Sequence, residues 1–218
     1  MRFRLVYEGP LQSKQRDARD GQRDPLASHT QDIRRVFHRQ LKRLWDTNKF
    51  LATAVDWERD FDRKGDPVER WGRIAPDQEE IKPIRELIPR LYEENRYRFL
   101  PLVREDWELM CDLNILFLRN DAPGSAIQAG DLDNRIKTLI DCLRRPLNAS
   151  ELRDDTGPQD GEDPFYVLLE DDKNVTSLTV ETDTLLDPSL EQDQRNVKLI
   201  ITVDIRPYFA TTFNLGFA

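Results

Sequence analysis

The apolar residues of this chain fall in short segments, and their spacing alternates between the two-residue period of a β-strand and the 3.6-residue period of an α-helix. Alternation places Phe3, Leu5 and Tyr7 on one face of a first strand. Helical spacing follows at 31–45, 84–91 and 136–143, and strand-like segments follow at 97–103, 107–118, 165–169, 175–182 and 196–205. Because ten phenylalanines and four tryptophans supply apolar bulk for one core, we expect a single globular domain over residues 1–218.

Simple counting excludes several classes of protein. No window approaches the eighteen consecutive apolar residues of a membrane span, and residues 1–8 meet a charge before the apolar core of a signal peptide could form. We therefore expect a cytoplasmic protein. Cys111 and Cys142 lie in apolar segments, and two thiols are too few for a disulfide framework or a four-thiolate zinc site. We expect both in the core.

Charge is segregated along the chain. The net charge of −8, taken as an average, argues against a nucleic-acid partner, because phosphate binding depends on Lys and Arg. Residues 1–45, however, hold eleven basic and five acidic residues, net +6, whereas residues 151–193 hold two basic and fourteen acidic residues, net −12. Such a split indicates two surfaces of opposite sign.

The predicted helix at 31–45 is amphipathic and basic. Thr30 is available as its N-cap. The polar arc of the helix carries Arg34, Arg35, Arg39, Lys42 and Arg43. Two interpretations are open: a solvated face on a packed helix, or a surface that contacts phosphates.

Two groups of carboxylates carry the functional prediction. Asp131 and Asp133 lie where the chain enters the helix around 136–143, and residues two apart in an extended segment point the same way. Lys137 and Asp141 follow Asp133 at i+4 and i+8, which predicts one exposed polar ridge. The second group, at 170–172, is Glu-Asp-Asp in the turn between two predicted strands.

Three or more carboxylates brought together raise one another's pKa unless a divalent cation lies among them. Oxygen ligands suit Mg2+, with Mn2+ also possible, and no Cys or His cluster competes for zinc. Beside a phosphodiester, Mg2+ can activate water and stabilise the leaving oxygen, and a nearby lysine adds charge stabilisation. The structural alternative is that Asp131 or Asp133 caps the helix, Asp133 and Lys137 form an exposed i,i+4 pair, and residues 170–172 form a solvated turn.

These motifs resemble those of a known family. Residues 130–141 have the sequence Gly-Asp-Leu-Asp-Asn-Arg-Ile-Lys-Thr-Leu-Ile-Asp, and residues 169–175 have the sequence Leu-Glu-Asp-Asp-Lys-Asn-Val. In this order they resemble the RusA family of Holliday-junction resolvases. That family shows an Asp-x-Asp-Asn segment, a Lys four residues after the second Asp, a further Asp on the same helix, and an Asp-Asp-x-x-Val turn.

The resemblance implies a mixed α/β (α+β) fold, with a small mixed β-sheet packed against helices, in a homodimer. It implies a Mg2+-dependent endonuclease that cuts four-way DNA junctions by paired nicks, in recombination and repair. The implied catalytic residues are Asp131, Asp133, Lys137 and Asp172. The aspartates among them, joined by Asp171, would be metal ligands, and Asp141 and Asn134 would support them.

The resemblance also makes branched DNA the expected partner. We expect phosphates to meet the basic helix and the loop before it, on the side of the site away from the acidic loop at 148–164. The expected DNA-binding residues are Lys14, Arg16, Arg34, Arg35, Arg39 and Lys42. The acidic surface at 151–193 could separately bind a protein partner.

The chain departs from the family in ways that leave alternatives open. Family members are usually shorter and basic, whereas this chain has an inserted segment at about 46–105 and an aromatic tail, for which packing is expected over base stacking: Tyr208, Phe209, Phe213 and Phe217. One alternative is a non-catalytic DNA-binding or assembly protein with the same fold. Another is a restriction-type nuclease, with 171–173 as its Asp-x-Lys and Pro76-Asp77 upstream.

Overall fold

The computed structural model describes residues 1–13, 26–57, 81–120, 131–152, 155–187, 195–211 and 214–217. In these segments the strands are β1 (Arg2–Pro10), β2 (Val55–Trp57), β3 (Ile81–Pro83), β4 (Glu93–Glu94), β5 (Tyr97–Val103), β6 (Leu109–Arg119), β7 (Phe165–Leu169), β8 (Val175–Thr184) and β9 (Asn196–Pro207). The helices are α1 (Ala27–Thr47), α2 (Lys49–Thr53), α3 (Ile84–Leu87) and α4 (Asp131–Leu143). This content confirms a mixed α and β protein.

The largest sheet has the strand order β1-β9-β6-β8. β9 is antiparallel to both β1 and β6, whereas β8 is parallel to β6. One face of β6 is buried through Cys111, Leu113, Ile115 and Phe117, which confirms the face predicted from alternation. Because parallel neighbours need a crossover connection, the chain between β6 and β8 carries α4 and β7. One predicted carboxylate group lies on α4, and the other lies in the turn after β7.

A second sheet has the order β4-β5-β7, with β5 parallel to β7. All five residues of β7 are buried, as is typical of a parallel strand covered on both faces. β5 lies within the segment 46–105 that was expected to be an insertion, yet Leu100 and Leu102 belong to the main core. Although β5 lies in this segment, the strand is therefore an integral part of the fold. Residues 58–80 lie outside the described residues.

Helix α1 packs against β7, α4 and β1. Its buried stripe includes Ile33, Phe37, Leu41 and Trp45, spaced by one helical turn. The helix begins at Ala27, earlier than predicted, and the Thr30 amide donates to the Leu26 carbonyl at 2.8 Å. The prediction that Thr30 is the N-cap is therefore wrong, because Thr30 is buried inside the first turns.

The side chain of Gln40 covers the outer edge of β1. Its Oε1 accepts from the Val6 amide at 2.9 Å, and its Nε2 donates to the Val6 carbonyl at 2.7 Å. The amide thus replaces the missing strand partner at this residue.

Three aromatic residues join the end of the chain to the core. Trp107 lies in the 3-10 turn Glu105–Trp107 and not in the strand predicted to start there. Phe217 packs against Trp107 and Phe50, with ring centroids 5.6 and 5.2 Å away. A Cβ at Gly216 would collide with the Phe50 ring, so the close approach requires glycine. Packing is confirmed for Phe217.

The other aromatic residues of the tail differ from Phe217. Tyr208 and Phe209 are exposed, and Phe213 lies outside the described residues.

Pro89 divides the segment predicted as a helix at 84–91. Helix α3 ends at Leu87, and a 3-10 turn, Ile88–Leu91, continues with Pro89 near its start. Within the segments that the structure describes, no helix has the length and apolar character needed to cross a membrane.

Candidate functional site

Helix α4 carries the first predicted carboxylate group. The helix begins at Asp131, whose side chain lies outside the described residues. Lys137 Nζ donates to Asp133 Oδ2 at 2.8 Å, and both side chains are about three-fifths exposed (61% and 63%). Asn134 is half-buried, and its carbonyl accepts from the Thr138 hydroxyl at 3.1 Å. The start of α4 therefore presents an exposed, internally neutralised i,i+4 pair.

A buried arginine from α1 holds the C-terminal end of α4. Arg34 Nε donates to the Arg144 carbonyl at 3.1 Å, and Nη2 donates to the Asp141 carbonyl at 2.8 Å. Its Nη1 donates to Gln31 Oε1 at 2.5 Å. The last carbonyls of a helix lack intrahelical donors, and a cation there also interacts favourably with the helix dipole. Arg34 therefore caps α4 from a neighbouring helix.

The end of α4 is also fixed to the end of β7. The Arg145 amide donates to the Leu169 carbonyl at 3.0 Å, and Arg144 forms a parallel bridge with Leu169. On the other side, the Glu170 amide donates to the Val103 carbonyl of β5 at 3.0 Å. These bonds make the end of α4 and the turn at 170–174 neighbours.

The turn after β7 has a defined local shape. Asp171 Oδ1 accepts from the Lys173 amide at 3.1 Å, and Asn174 Oδ1 accepts from the Asp171 amide at 3.1 Å. This reciprocal pair is a capping box on the 3-10 turn Asp172–Asn174. It places the exposed Asp172 side chain directly beside that of Asp171.

The pKa values of the two adjacent carboxyls of the turn are shifted in opposite directions. The hydrogen bond with Asp171 raises the pKa of Asp172, and burial and the charges of Asp171 and Asp141 act in the same direction. Burial also acts to raise the pKa of Asp171, but the Lys173 amide, the Asp172 side chain and the charges of Lys173 and Arg144 outweigh it and lower that pKa. Because two adjacent carboxylates repel each other, a cation beside them would be stabilised.

Asp141 is tied to Arg144. Its Oδ1 accepts from Arg144 Nη2 at 2.7 Å and from Nε at 3.1 Å, and its side chain is 20% exposed. The same guanidinium pairs with Glu151 at 3.0 Å. The prediction of one exposed ridge through Asp133, Lys137 and Asp141 is therefore wrong at Asp141, because the last turn of α4 packs against its neighbours.

The fit of a magnesium ion depends on which carboxylates converge. Among the described residues, no group of three or more His, Cys, Asp or Glu is placed to hold a metal ion. Asp141 acts electrostatically on Asp172, whereas Asp133 precedes Asp141 by eight residues, about 12 Å along the helix axis. Mg2+ usually binds through one or two carboxylates, with waters and substrate phosphates completing its shell, and the Asp171–Asp172 pair fits that donor chemistry.

The basic face of α1 differs from the expected DNA surface. Arg34 is fully buried, so the prediction that it contacts phosphates is wrong. Arg35 pairs with Asp155 at 2.8 Å and with Glu162 at 3.1 Å. Arg39 is exposed, and Lys14 and Arg16 lie outside the described residues.

The acidic loop lies against α1, whereas we expected it on the side of the site away from that helix. Besides the two carboxylates on Arg35, the Gly161 carbonyl accepts from Lys42 Nζ at 2.7 Å. Asp163 pairs with Arg98 of β5 at 2.6 Å. The predicted separation of the basic helix from the acidic loop is wrong, because opposite charges 120 residues apart in sequence meet in the fold.

Several residues of the site were missed by sequence reasoning. Arg144 contacts Asp141 and influences both carboxyls of the turn, and Glu105 accepts from Lys173 Nζ at 2.7 Å. The Arg144–Asp141 pair has i,i+3 spacing and could have been found from the helical period. The Lys173–Glu105 pair directs Lys173 toward the 3-10 turn Glu105–Trp107. Pro76-Asp77 of the restriction-type alternative lies outside the described residues.

Comparisons of the chain with protein-family models, with curated proteins and with solved structures find no match.

Proposed function

We propose that this protein is a Mg2+-dependent, structure-specific DNA endonuclease that cuts Holliday junctions or related branched DNA. The observation that carries the proposal is the Asp171–Asp172 pair, two adjacent carboxylates in a turn with a capping box that follows β7 beside the end of α4. The RusA-like order of the acidic motifs supports the choice of reaction, and supports a dimer as the active form.

The proposal gives each residue a role. Asp171 and Asp172 would hold Mg2+ through carboxylate oxygens. The resemblance implies Asp131 and Asp133 as further ligands, although Asp133 lies about 12 Å along the helix axis from Asp141. When bound, the ion would supply a nucleophilic water and neutralise the phosphate. Lys137, which pairs with Asp133 at 2.8 Å, would supply a positive charge that stabilises the phosphate.

The test is cleavage of a panel of four-way junctions, flaps, forks and linear duplexes in Mg2+. We expect branched DNA to be cut, and we expect Asp172→Asn and Asp133→Asn to lower the rate at least about 100-fold, since each removes charge stabilisation at the phosphate. Asp160→Asn, which alters an exposed carboxylate of the acidic loop, is the matched control and should cut normally.

Circular dichroism should show the same fold for all three variants. Wild-type rates in both site variants would refute the metal-dependent mechanism. DNA binding without products at any Mg2+ or Mn2+ concentration would instead favour the non-catalytic DNA-binding protein.

A further inference from the structure

We propose that three exposed arginines, Arg4 of β1 and Arg39 and Arg43 of α1, form one phosphate-binding surface that holds a duplex arm of the DNA away from the cut. We call it the β1–α1 surface. The inference rests on the proposed function, which supplies DNA as the anionic partner. It goes beyond that function because it adds a residue of β1 to the DNA contacts and predicts which part of the DNA the surface meets.

The side chain of Gln40 brings the three arginines to one side of the molecule. Its amide oxygen and nitrogen bond to the Val6 backbone at 2.9 and 2.7 Å, which fixes α1 beside the outer edge of β1. Arg4 lies two residues from Val6, about 7 Å along the strand, and its side chain is on the same face. Arg39 precedes Gln40, and Arg43 follows it by about 4.5 Å along the helix axis. The surface therefore spans the strand and the helix.

None of the three arginines is neutralised within the part of the chain that the structure describes. Each is exposed, and none has an ion pair or a hydrogen-bond partner for its side chain. Three carboxylates of the same elements and of the neighbouring β9 already have other partners: Glu8 pairs with Lys198 at 3.0 Å, Asp46 with Arg85 at 3.4 Å and Asp204 with Arg2 at 3.9 Å.

The missing counter-charge indicates an anionic partner. The protein has a net charge of −8, so carboxylates are plentiful, yet these three cations stay unpaired close to one another. Like charges repel, and an anion bound among them removes that repulsion. A guanidinium also binds phosphate oxygens in a bidentate manner. The charge of the β1–α1 surface is thus complementary to a phosphate backbone.

The register of the large sheet gives the distance from this surface to the carboxylate turn at 170–174. Arg4 lies level with Thr179 of β8, through Thr202 and Asn114. Because β1 and β8 are the two edges of a four-stranded sheet, they are about 14 Å apart. Thr179 lies about 13 Å along β8 from Val175, where the turn ends. Arg4 is therefore roughly 20 Å from the turn, the length of about six base pairs of duplex.

A contact so far from the cut falls on a paired arm of a junction, flap or fork. Such a contact meets backbone phosphates, which position the protein without reading the sequence. We therefore expect the β1–α1 surface to hold an arm of the substrate, whereas the branch point lies at the turn.

The experiment combines Arg4→Gln with neutral phosphates in the DNA. A labelled four-way junction with arms of about 15 base pairs carries methylphosphonate linkages in every arm, either about five to eight or about twelve to fifteen base pairs from the branch point. Fluorescence anisotropy without Mg2+ measures Kd. We expect Arg4→Gln to weaken binding of the unmodified junction several-fold, with a slope of log K against log salt shallower by about 0.9.

The near methylphosphonates locate the contact. They should weaken wild-type binding, and their effect and that of Arg4→Gln should be less than additive, because both remove the same contact. The distant methylphosphonates and Arg4→Gln should act additively. Arg4→Lys keeps the charge and should retain the wild-type slope.

Arg96→Gln is the matched control, because it removes another exposed arginine, in the turn between β4 and β5, and should keep the wild-type slope. Melting temperatures establish that all variants are folded. An unchanged slope in Arg4→Gln, additive effects with the near methylphosphonates, or an equal loss in Arg96→Gln overturns the inference and leaves the proposed function standing. If the wild type neither binds nor cuts branched DNA, the proposed function fails, and the inference fails with it.

Discussion

At the scale of the residue, one arginine does a different task from the one its position in a basic helix suggests. Arg34 shares the polar arc of α1 with Arg35 and Arg39, but it is fully buried and donates to two main-chain carbonyls at the end of α4. Burial lowers the pKa of its guanidinium, and Arg144 acts in the same direction, whereas Cys142, Glu151 and Asp141 act to raise it. The group remains charged and is stabilised by acceptors, which makes it a structural cation.

Arg34→Met should destabilise the protein by about 3 kcal/mol, because the carbonyls of Asp141 and Arg144 lose their donor in a dry environment. Urea unfolding followed by circular dichroism measures the change. Arg39→Met, on the exposed side of the same helix, is the control and should change stability by less than about 0.5 kcal/mol. Equal effects of the two substitutions would mean that the cap contributes nothing to stability.

At the scale of the element, α1 has two polar sides with different partners. Arg35 and Lys42 contact the loop 155–163, where they meet Asp155, Glu162 and the Gly161 carbonyl. Arg39 and Arg43, four residues apart, are exposed. The acidic loop pairs with Arg35 and Lys42. Arg39 and Arg43 are therefore the residues of α1 that remain available to bind phosphates.

If the protein binds DNA as proposed, Arg39→Gln/Arg43→Gln should weaken binding several-fold at low salt. The slope of log K against log salt should become shallower by about two, one for each lost phosphate contact. Fluorescence anisotropy with a labelled junction at several salt concentrations measures both quantities. Arg98→Gln, which breaks an exposed ion pair with Asp163, is the control. An unchanged slope in Arg39→Gln/Arg43→Gln would remove this side of α1 from the DNA surface.

At the scale of the whole molecule, His38 joins helix α1 to strand β7. It is carried by α1, its Nδ1 accepts from the Tyr166 amide of β7 at 2.9 Å, and its ring lies 4.4 Å from that of Phe165. Burial lowers the pKa of His38 to about 4, although Glu162 and a hydrogen bond with the Gly161 backbone act to raise it and Lys42 and Arg39 act to lower it. Neutral His38 is therefore part of the folded state.

The low pKa of His38 makes stability depend on pH. Between its unfolded pKa of about 6.5 and its folded pKa of about 4, only the unfolded chain binds the proton, so stability falls as pH falls through this window. We expect His38 to contribute at most about 3 kcal/mol to this loss. Urea unfolding between pH 7.5 and pH 4 measures it.

His38→Gln should reduce the pH dependence, while lowering stability at pH 7.5. The protein has one other histidine, His29, whose pKa burial also lowers, so His29→Gln gives the matched comparison. A pH dependence unchanged in His38→Gln would assign the effect to other groups.

The spacing of apolar residues in the sequence determined most of the local secondary structure. Alternation at 111–117 and helical spacing at 136–143 predicted β6 and the buried face of α4, because a strand or a helix with one apolar face must turn that face inward. The two acidic motifs were likewise visible as patterns. Their placement on one helix and on one turn followed from local chemistry alone, since Asp171 and Asn174 cap the turn themselves.

The tertiary structure determined which charged side chains are buried or paired within the protein and which stay exposed. It buried Arg34 against the end of α4, set the 155–163 loop on Arg35, and paired Lys173 with Glu105. None of these pairings follows from spacing, because residues 68 to 127 positions apart meet only when sheets and helices pack. A basic or acidic pattern fixes the sign of a surface, but burial and partner geometry determine whether the charge faces a ligand or the protein itself.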